Sequence, residues 1–146
     1  MFSGSAGKKG ATAGTLIAAV VITVGLWLFI DGAVVAKIQP INYAAYICII
    51  GTVIFEVLAN FLNWNAINGT DDDSSDLEKR VAQILFFICV VVSIGGNVGA
   101  FCIAYFQYIK PKSENMYSGI MIFVSSILFL VGFTVFRFTR QSHKFD

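Results

Sequence analysis

Four long apolar runs, separated by short polar segments, constrain this chain more than any other feature. Residues 14–36 hold one charged side chain, Asp31, and residues 41–64 hold one, Glu56; residues 81–109 and 116–136 hold none. A helix needs about 20 apolar residues to cross the hydrocarbon core of a bilayer, and each run reaches that length. Composition agrees, with 57% hydrophobic and 13% charged residues against roughly 25% charged in a soluble domain. The expected fold is all-α, a polytopic membrane protein built as a four-transmembrane-helix bundle. Its transmembrane domain covers 14–136, with spans at about 14–36, 41–64, 81–109 and 116–136. Outside them lie an N-terminal segment, 1–13, an acidic loop, 65–80, and a basic tail, 137–146.

A basic start (Lys8, Lys9) before an apolar run can resemble a secretory signal. Here the run exceeds the usual 7–15-residue hydrophobic region and continues through Trp27, Leu28 and Phe29, so it reads as a retained first span. Lys37–Pro40 reads as a tight turn, because proline cannot continue a helix. Asp76 is a candidate cap for the third helix. The third run, at about 1.5 Å per residue, is roughly 43 Å long and must tilt or protrude from the bilayer.

Four spans put both termini on one side. That side carries Lys8, Lys9, Lys79, Arg80, Arg137, Arg140 and Lys144, and the other carries Lys37, Lys110 and Lys112. The positive-inside rule therefore predicts cytosolic termini and a cytosolic acidic loop. Asn68-Gly69-Thr70 is a glycosylation sequon that would stay unmodified in that orientation.

Charged residues within a span are site candidates by default. Asp31 lies about 7 Å inside the far boundary and Glu56 roughly 12 Å from the near one, so the two acids differ in level by on the order of 10 Å. Asn97 comes out at the level of Asp31, and an Asp31–Asn97 hydrogen bond is predicted. Glu56, Asn60 and Asn63, at helical spacing, form a polar stripe expected to face the bundle interior or a partner protein. With no Lys, Arg or His inside a run, packing is preferred to a proton relay for both acids.

Gly95-x-x-x-Gly99 and the overlapping series Gly96, Ala100 and Ala104, with Gly132 in the fourth run, are expected to let helix backbones approach closely. Trp27, Trp64, Tyr105, Tyr108 and Tyr117 read as interfacial anchors. Cys48, Cys89 and Cys102 read as small packing residues, and Asp71-Asp72-Asp73 as a solvated charge run without the glycine and terminal glutamate of a calcium loop. No catalytic set, metal constellation or cofactor motif is read from the sequence, and a net charge of +1 gives no reason to expect nucleic acid.

Gly25-Leu26-Trp27-Leu28-Phe29-Ile30-Asp31-Gly32-Ala33-Val34 resembles the Gly-Trp-Trp-hydrophobic-Asp-Ala-Ala stretch of the transmembrane-protein-50 / vacuolar-protein-sorting-68 family. Gly119, Ile120 and Phe123, followed by Gly132, Val135, Phe136, Arg137, Phe138 and Arg140, are similar to that family's closing pattern. Leu26 stands where the family has a second tryptophan, and Gly32 where it has an alanine. The resemblance implies a small eukaryotic protein of endosomal, Golgi or ER membranes with no catalytic residues. It also implies a partner, a second four-span protein like the leptin-receptor-overlapping-transcript family, and a role in late-endosome-to-vacuole sorting. Asp31, Trp27, Gly132, Phe136 and Arg137 are the first positions to test as packing or partner contacts.

The leading functional expectation is thus a non-enzymatic membrane adaptor or complex subunit in endosomal trafficking, surrounded by membrane lipids and bound to another integral membrane protein. The alternatives are an accessory scaffold of a larger respiratory or channel complex, and a small transporter.

Overall fold

The computed structural model describes residues 3–35, 43–69, 72–73, 75–112, 114 and 116–142. The turn expected at Lys37–Pro40, Thr70 of the sequon, Asp71 of the acidic run, and the tail from His143 onward lie outside the described residues. The described chain is helical: α1 (Ser3–Val35), α2 (Tyr43–Phe61), a short α3 (Trp64–Ile67), α4 (Asp76–Ile103) continuing into a π-helical stretch (Ala104–Ile109), and α5 (Met116–Ser142). Four of these segments, Lys9–Val35, Ala44–Phe61, Asp76–Ile109 and Met116–Arg140, are long and apolar enough to cross a membrane.

The helix ends follow from local chemistry. α1 begins at Ser3, so the polar segment before Gly14 prolongs the first helix. α2 stops at Phe61 because Asn63 turns extended (φ −70°, ψ 116°) and caps α3, its side chain accepting from the Asn65 N–H. Asn63 therefore does not continue the Glu56–Asn60 stripe. Gly69, at φ +71°, takes the left-handed conformation that ends a helix without a Cβ clash. At the start of α4 the cap is Ser75, one residue before the expected Asp76. Ser75 Oγ accepts from the Glu78 N–H, and Glu78 Oε2 accepts from the Ser75 N–H at 2.9 Å, a reciprocal capping box. Asp76 and Glu78 then lie in the first turn, favourably placed on the helix dipole.

Asp76–Ile109 has 34 residues, about 51 Å of helix, so it overshoots a 30 Å core. Part of the excess lies beside α3, where Gln83 Nε2 donates to the Ile67 carbonyl at 2.8 Å. At the other end the ladder widens, with the Lys110 N–H donating to the Tyr105 carbonyl at 2.8 Å across five residues. The Tyr108 ring of this stretch is buried against Gly119.

α1 packs along α5, and α2 packs along α4. The α1–α5 seam is antiparallel: Gly14 faces Thr139, Gly25 faces Leu128 and Phe129, and Gly32 faces Ser118 and Ile122. Small and hydroxylated residues point inward, with Thr52, Ser93, Ser118, Ser125 and Ser126 all buried. Large apolar side chains such as Ile17, Trp27, Val34, Ile47, Phe87, Val98 and Phe138 point outward. The hydroxyls of Thr15, Thr52, Ser125 and Thr134 donate to carbonyls of their own helices, which satisfies them where water is absent. This inside-out distribution suits a hydrocarbon solvent and would be insoluble in water.

Candidate functional site

The most polar place within the apolar shell is the end of α2, where α4 and α5 meet it. Arg137 is set in the last turns of α5, flanked by Phe136 and Phe138 on a helix that continues into the expected basic tail as far as Ser142. Its Nη1 donates to the carbonyl of Ala59, and Arg140 Nη1 donates to the carbonyl of Asn60 at 3.0 Å. Both carbonyls belong to the last turn of α2, which has no intrahelical donors left and carries the negative end of the helix dipole. Two guanidinium groups thus cap one helix with side chains from another. The Arg137 guanidinium also lies 4.3 Å from the Phe86 ring centroid and 5.2 Å from that of Trp64, which themselves meet edge to face at 6.2 Å. Aromatic faces stabilise a cation most where water is excluded.

Beneath this cap is a cleft of about 340 Å³ bordered by Glu56, Asn60, Trp64, Phe86, Cys89, Ser93, Ile94, Phe133, Thr134, Arg137 and Phe138. A smaller space of about 220 Å³, lined by Asn60, Phe61, Leu62, Asn63, Trp64, Arg137 and Arg140, adjoins it and shares Asn60, Trp64 and Arg137. Ile94 and Phe138 at the margin are exposed on the outer surface, so the cleft opens sideways towards lipid. At its inner wall Glu56 is 5% exposed, and neither carboxyl oxygen has a hydrogen-bond partner among the described residues. Asn60 Oδ1 and Arg137 Nε are likewise enclosed and without partners there. Glu56 and Asn60 line the same cleft, so they share a face of α2 as the stripe required, and the amide of Asn60 donates back to the Glu56 backbone carbonyl at 2.9 Å.

The expectation that no basic residue joins the buried acids has to be corrected. Arg137 lines the same cleft as Glu56, because α5 continues to Ser142 and carries it back over α2. The sequence placed Arg137 and Arg140 in the tail, with Arg137 a candidate contact only through the family resemblance; Cys89 was read as a packing residue, and Phe86 was not singled out. The available signal was the aromatic setting of Arg137 between Phe136 and Phe138, which suits a buried cation better than a solvated one.

The predicted Asp31–Asn97 hydrogen bond is also overturned. Asp31 Oδ2 accepts from the Tyr117 hydroxyl at 2.6 Å, while Asn97 Oδ1 accepts from the Ser126 hydroxyl at 2.7 Å and its amide donates to the Ser93 carbonyl at 3.0 Å. Tyr117 and Ser126 lie nine residues apart on α5, about 13 Å along the helix, so the two polar groups occupy different levels. Ser126 lies near the middle of Met116–Arg140 and Tyr117 at its start, so Asn97 sits near mid-bundle and Asp31 at one end, a difference that counting from the apolar run boundaries did not show.

Of the small residues, Gly96, Gly99, Ala100 and Ala104 lie at helix contacts: Gly96 and Gly99 face Cys48 on α2, and Ala100 and Ala104 are buried. Gly95 has nothing within 4 Å of a Cβ position and does not pack. Gly132 lies on Ile22. Phe123 packs on Phe101 with centroids 5.2 Å apart, whereas Trp27 is 69% exposed on the outer face. Tyr108 is buried, not an interfacial anchor, and Tyr117 serves Asp31. No group of three or more His, Cys, Asp or Glu side chains able to hold a metal occurs among the described residues.

Four apolar helices with small and polar residues turned inward, large hydrophobics turned outward and a polar cleft at one helix end define an integral membrane protein of the four-span bundle class. The chain belongs to the uncharacterised protein family UPF0220, whose sequence pattern matches residues 2–144. No solved structure matches it.

Proposed function

We propose that this chain is a non-enzymatic subunit of an endomembrane protein-sorting complex, of the transmembrane-protein-50 / vacuolar-protein-sorting-68 type, with both termini in the cytosol. One observation carries the reading: the glycines and polar residues of the two family-like motifs serve as joints between helices, while Trp27, Val34 and Phe138 face outward. Gly25 and Gly132 seat α1 on α5, Gly119 seats Tyr108, Asp31 receives Tyr117, and Arg137 and Arg140 cap α2. A motif made of joints supports a role in presenting a defined membrane surface to another protein.

In cells lacking the chain, delivery of a transmembrane cargo from late endosomes to the vacuole or lysosome should slow, and re-expression should restore it. Normal cargo delivery combined with a loss of respiration or of an ion current would refute the sorting role.

A further inference from the structure

We propose that the paired spaces at the end of α2 bind one phosphate-headed membrane lipid, entering sideways between α4 and α5. The larger space is shaped for hydrocarbon: Phe86, Ile94, Leu130, Phe133 and Phe138 line it, and its mouth faces the bilayer. A volume of about 340 Å³ accommodates much of one acyl chain and is too narrow for a helix, whose diameter with side chains is about 10–12 Å. The adjoining space is basic, walled by Arg137 and Arg140, and it lies at the end of two helices where a lipid head would sit. The two spaces share Trp64 and Arg137, so a molecule filling both would pass directly across them.

Charge and hydrogen bonding select the occupant. Arg137 Nε is enclosed without an acceptor among the described residues, and phosphate oxygens supply acceptors in the planar geometry a guanidinium matches. Glu56 lies five residues before the end of α2, roughly 7 Å deeper, with both carboxyl oxygens unpartnered. That is the level of the polar groups linking head to chains in a phospholipid. A hydroxyl or amide there would donate to the carboxylate; an ester carbonyl would accept from the carboxylic acid. The same end of the bundle carries the excess of Lys and Arg, and anionic phospholipids are concentrated in the cytoplasmic leaflet. The site adds to the sorting role and does not depend on it, since a lipid could occupy the cleft of any subunit.

Trp64 lines both spaces and is one of two tryptophans, so Trp27→Phe leaves it as the sole reporter in the full chain. The chain is placed in phosphatidylcholine nanodiscs, and Trp64 quenching is titrated with acyl-brominated phosphatidic acid, brominated phosphatidylcholine or a brominated phosphosphingolipid with an anionic head. Two arginines near a membrane surface each favour an anionic lipid about fivefold, so the anionic lipids should quench at least tenfold lower mole fraction than phosphatidylcholine. Arg140→Gln should remove about fivefold of that preference. Thr134→Phe, which fills the cleft and leaves both arginine contacts in place, should abolish saturable quenching with unchanged helicity. Glu56→Gln should weaken the phosphosphingolipid, whose backbone hydroxyl and amide donate to the carboxylate, more than phosphatidic acid, which offers only ester carbonyls there. Equal quenching by anionic lipid and phosphatidylcholine, or an undiminished preference in folded Thr134→Phe, would overturn it.

Discussion

Two neighbouring glycines of α4 should respond in opposite directions to the same added methyl group. At Gly96 a Cβ would lie 2.9 Å from the carbonyl oxygen of Cys48 on α2 and would also collide with Thr52 Oγ1. Thr52 can turn, but the Cys48 carbonyl is helix backbone and already accepts from the Thr52 hydroxyl at 2.8 Å. The approach is roughly 0.5 Å short of ordinary van der Waals contact, so α2 and α4 must separate along their main seam. Overpacking of this kind costs about 1–3 kcal/mol. At Gly95 a Cβ meets nothing within 4 Å, and replacing a mid-helix glycine by alanine gains about 0.5–1 kcal/mol. The expected gap between Gly96→Ala and Gly95→Ala is therefore about 1.5–4 kcal/mol, read from unfolding of the purified chain by SDS titration in mixed micelles. Thr52→Ala combined with Gly96→Ala should recover only part of the loss. Equal effects of the two alanines, or greater damage at Gly95, would refute the assignment of the packed face.

Three further outcomes follow from single contacts. Ser126→Ala leaves Asn97 Oδ1 without its donor in the bundle interior and should destabilise by about 1–3 kcal/mol, whereas adding Asn97→Leu should recover much of the loss. Tyr117→Phe should lower the thermal midpoint, and the same change in an Asp31→Asn chain should lower it less; additive effects would remove the Asp31–Tyr117 hydrogen bond as a stabilising link. Gly119→Ala places a Cβ 2.7 Å from the Tyr108 ring and should cost about 1–3 kcal/mol, with relief by Tyr108→Ala in the same chain.

The long-range layout was legible because hydrocarbon imposes a simple rule: about 20 apolar residues make a span, and the four runs satisfy it independently of their neighbours. Helix ends were less legible. Asp76 and Ser75 are both good caps, and only the reciprocal bond with Glu78 decides between them. The Glu56–Asn60 face was readable from helical spacing, but Asn63 left it because α2 ended one residue after Asn60, and no periodicity records that break. Level arguments failed for Asp31 and Asn97 because apolar run boundaries do not mark where α4 enters the bilayer. The cleft itself was beyond sequence reasoning, since it depends on α5 carrying Arg137 from the apparent tail onto the carbonyls of α2, a contact across 78 residues. The two overlapping small-residue series were visible, yet which of their members face α2 is set by helix rotation: Gly96 and Gly99 do, and Gly95 does not.

The proposed sorting role requires this bundle to hold another membrane protein. Its most direct test is purification of the native, tagged chain from its own membranes in mild detergent, followed by sizing and mass spectrometry. A small complex is expected, in which a second four-span protein is present in fixed stoichiometry. Recovery of the chain alone as a monodisperse protein, or within a large respiratory or channel assembly, would contradict it.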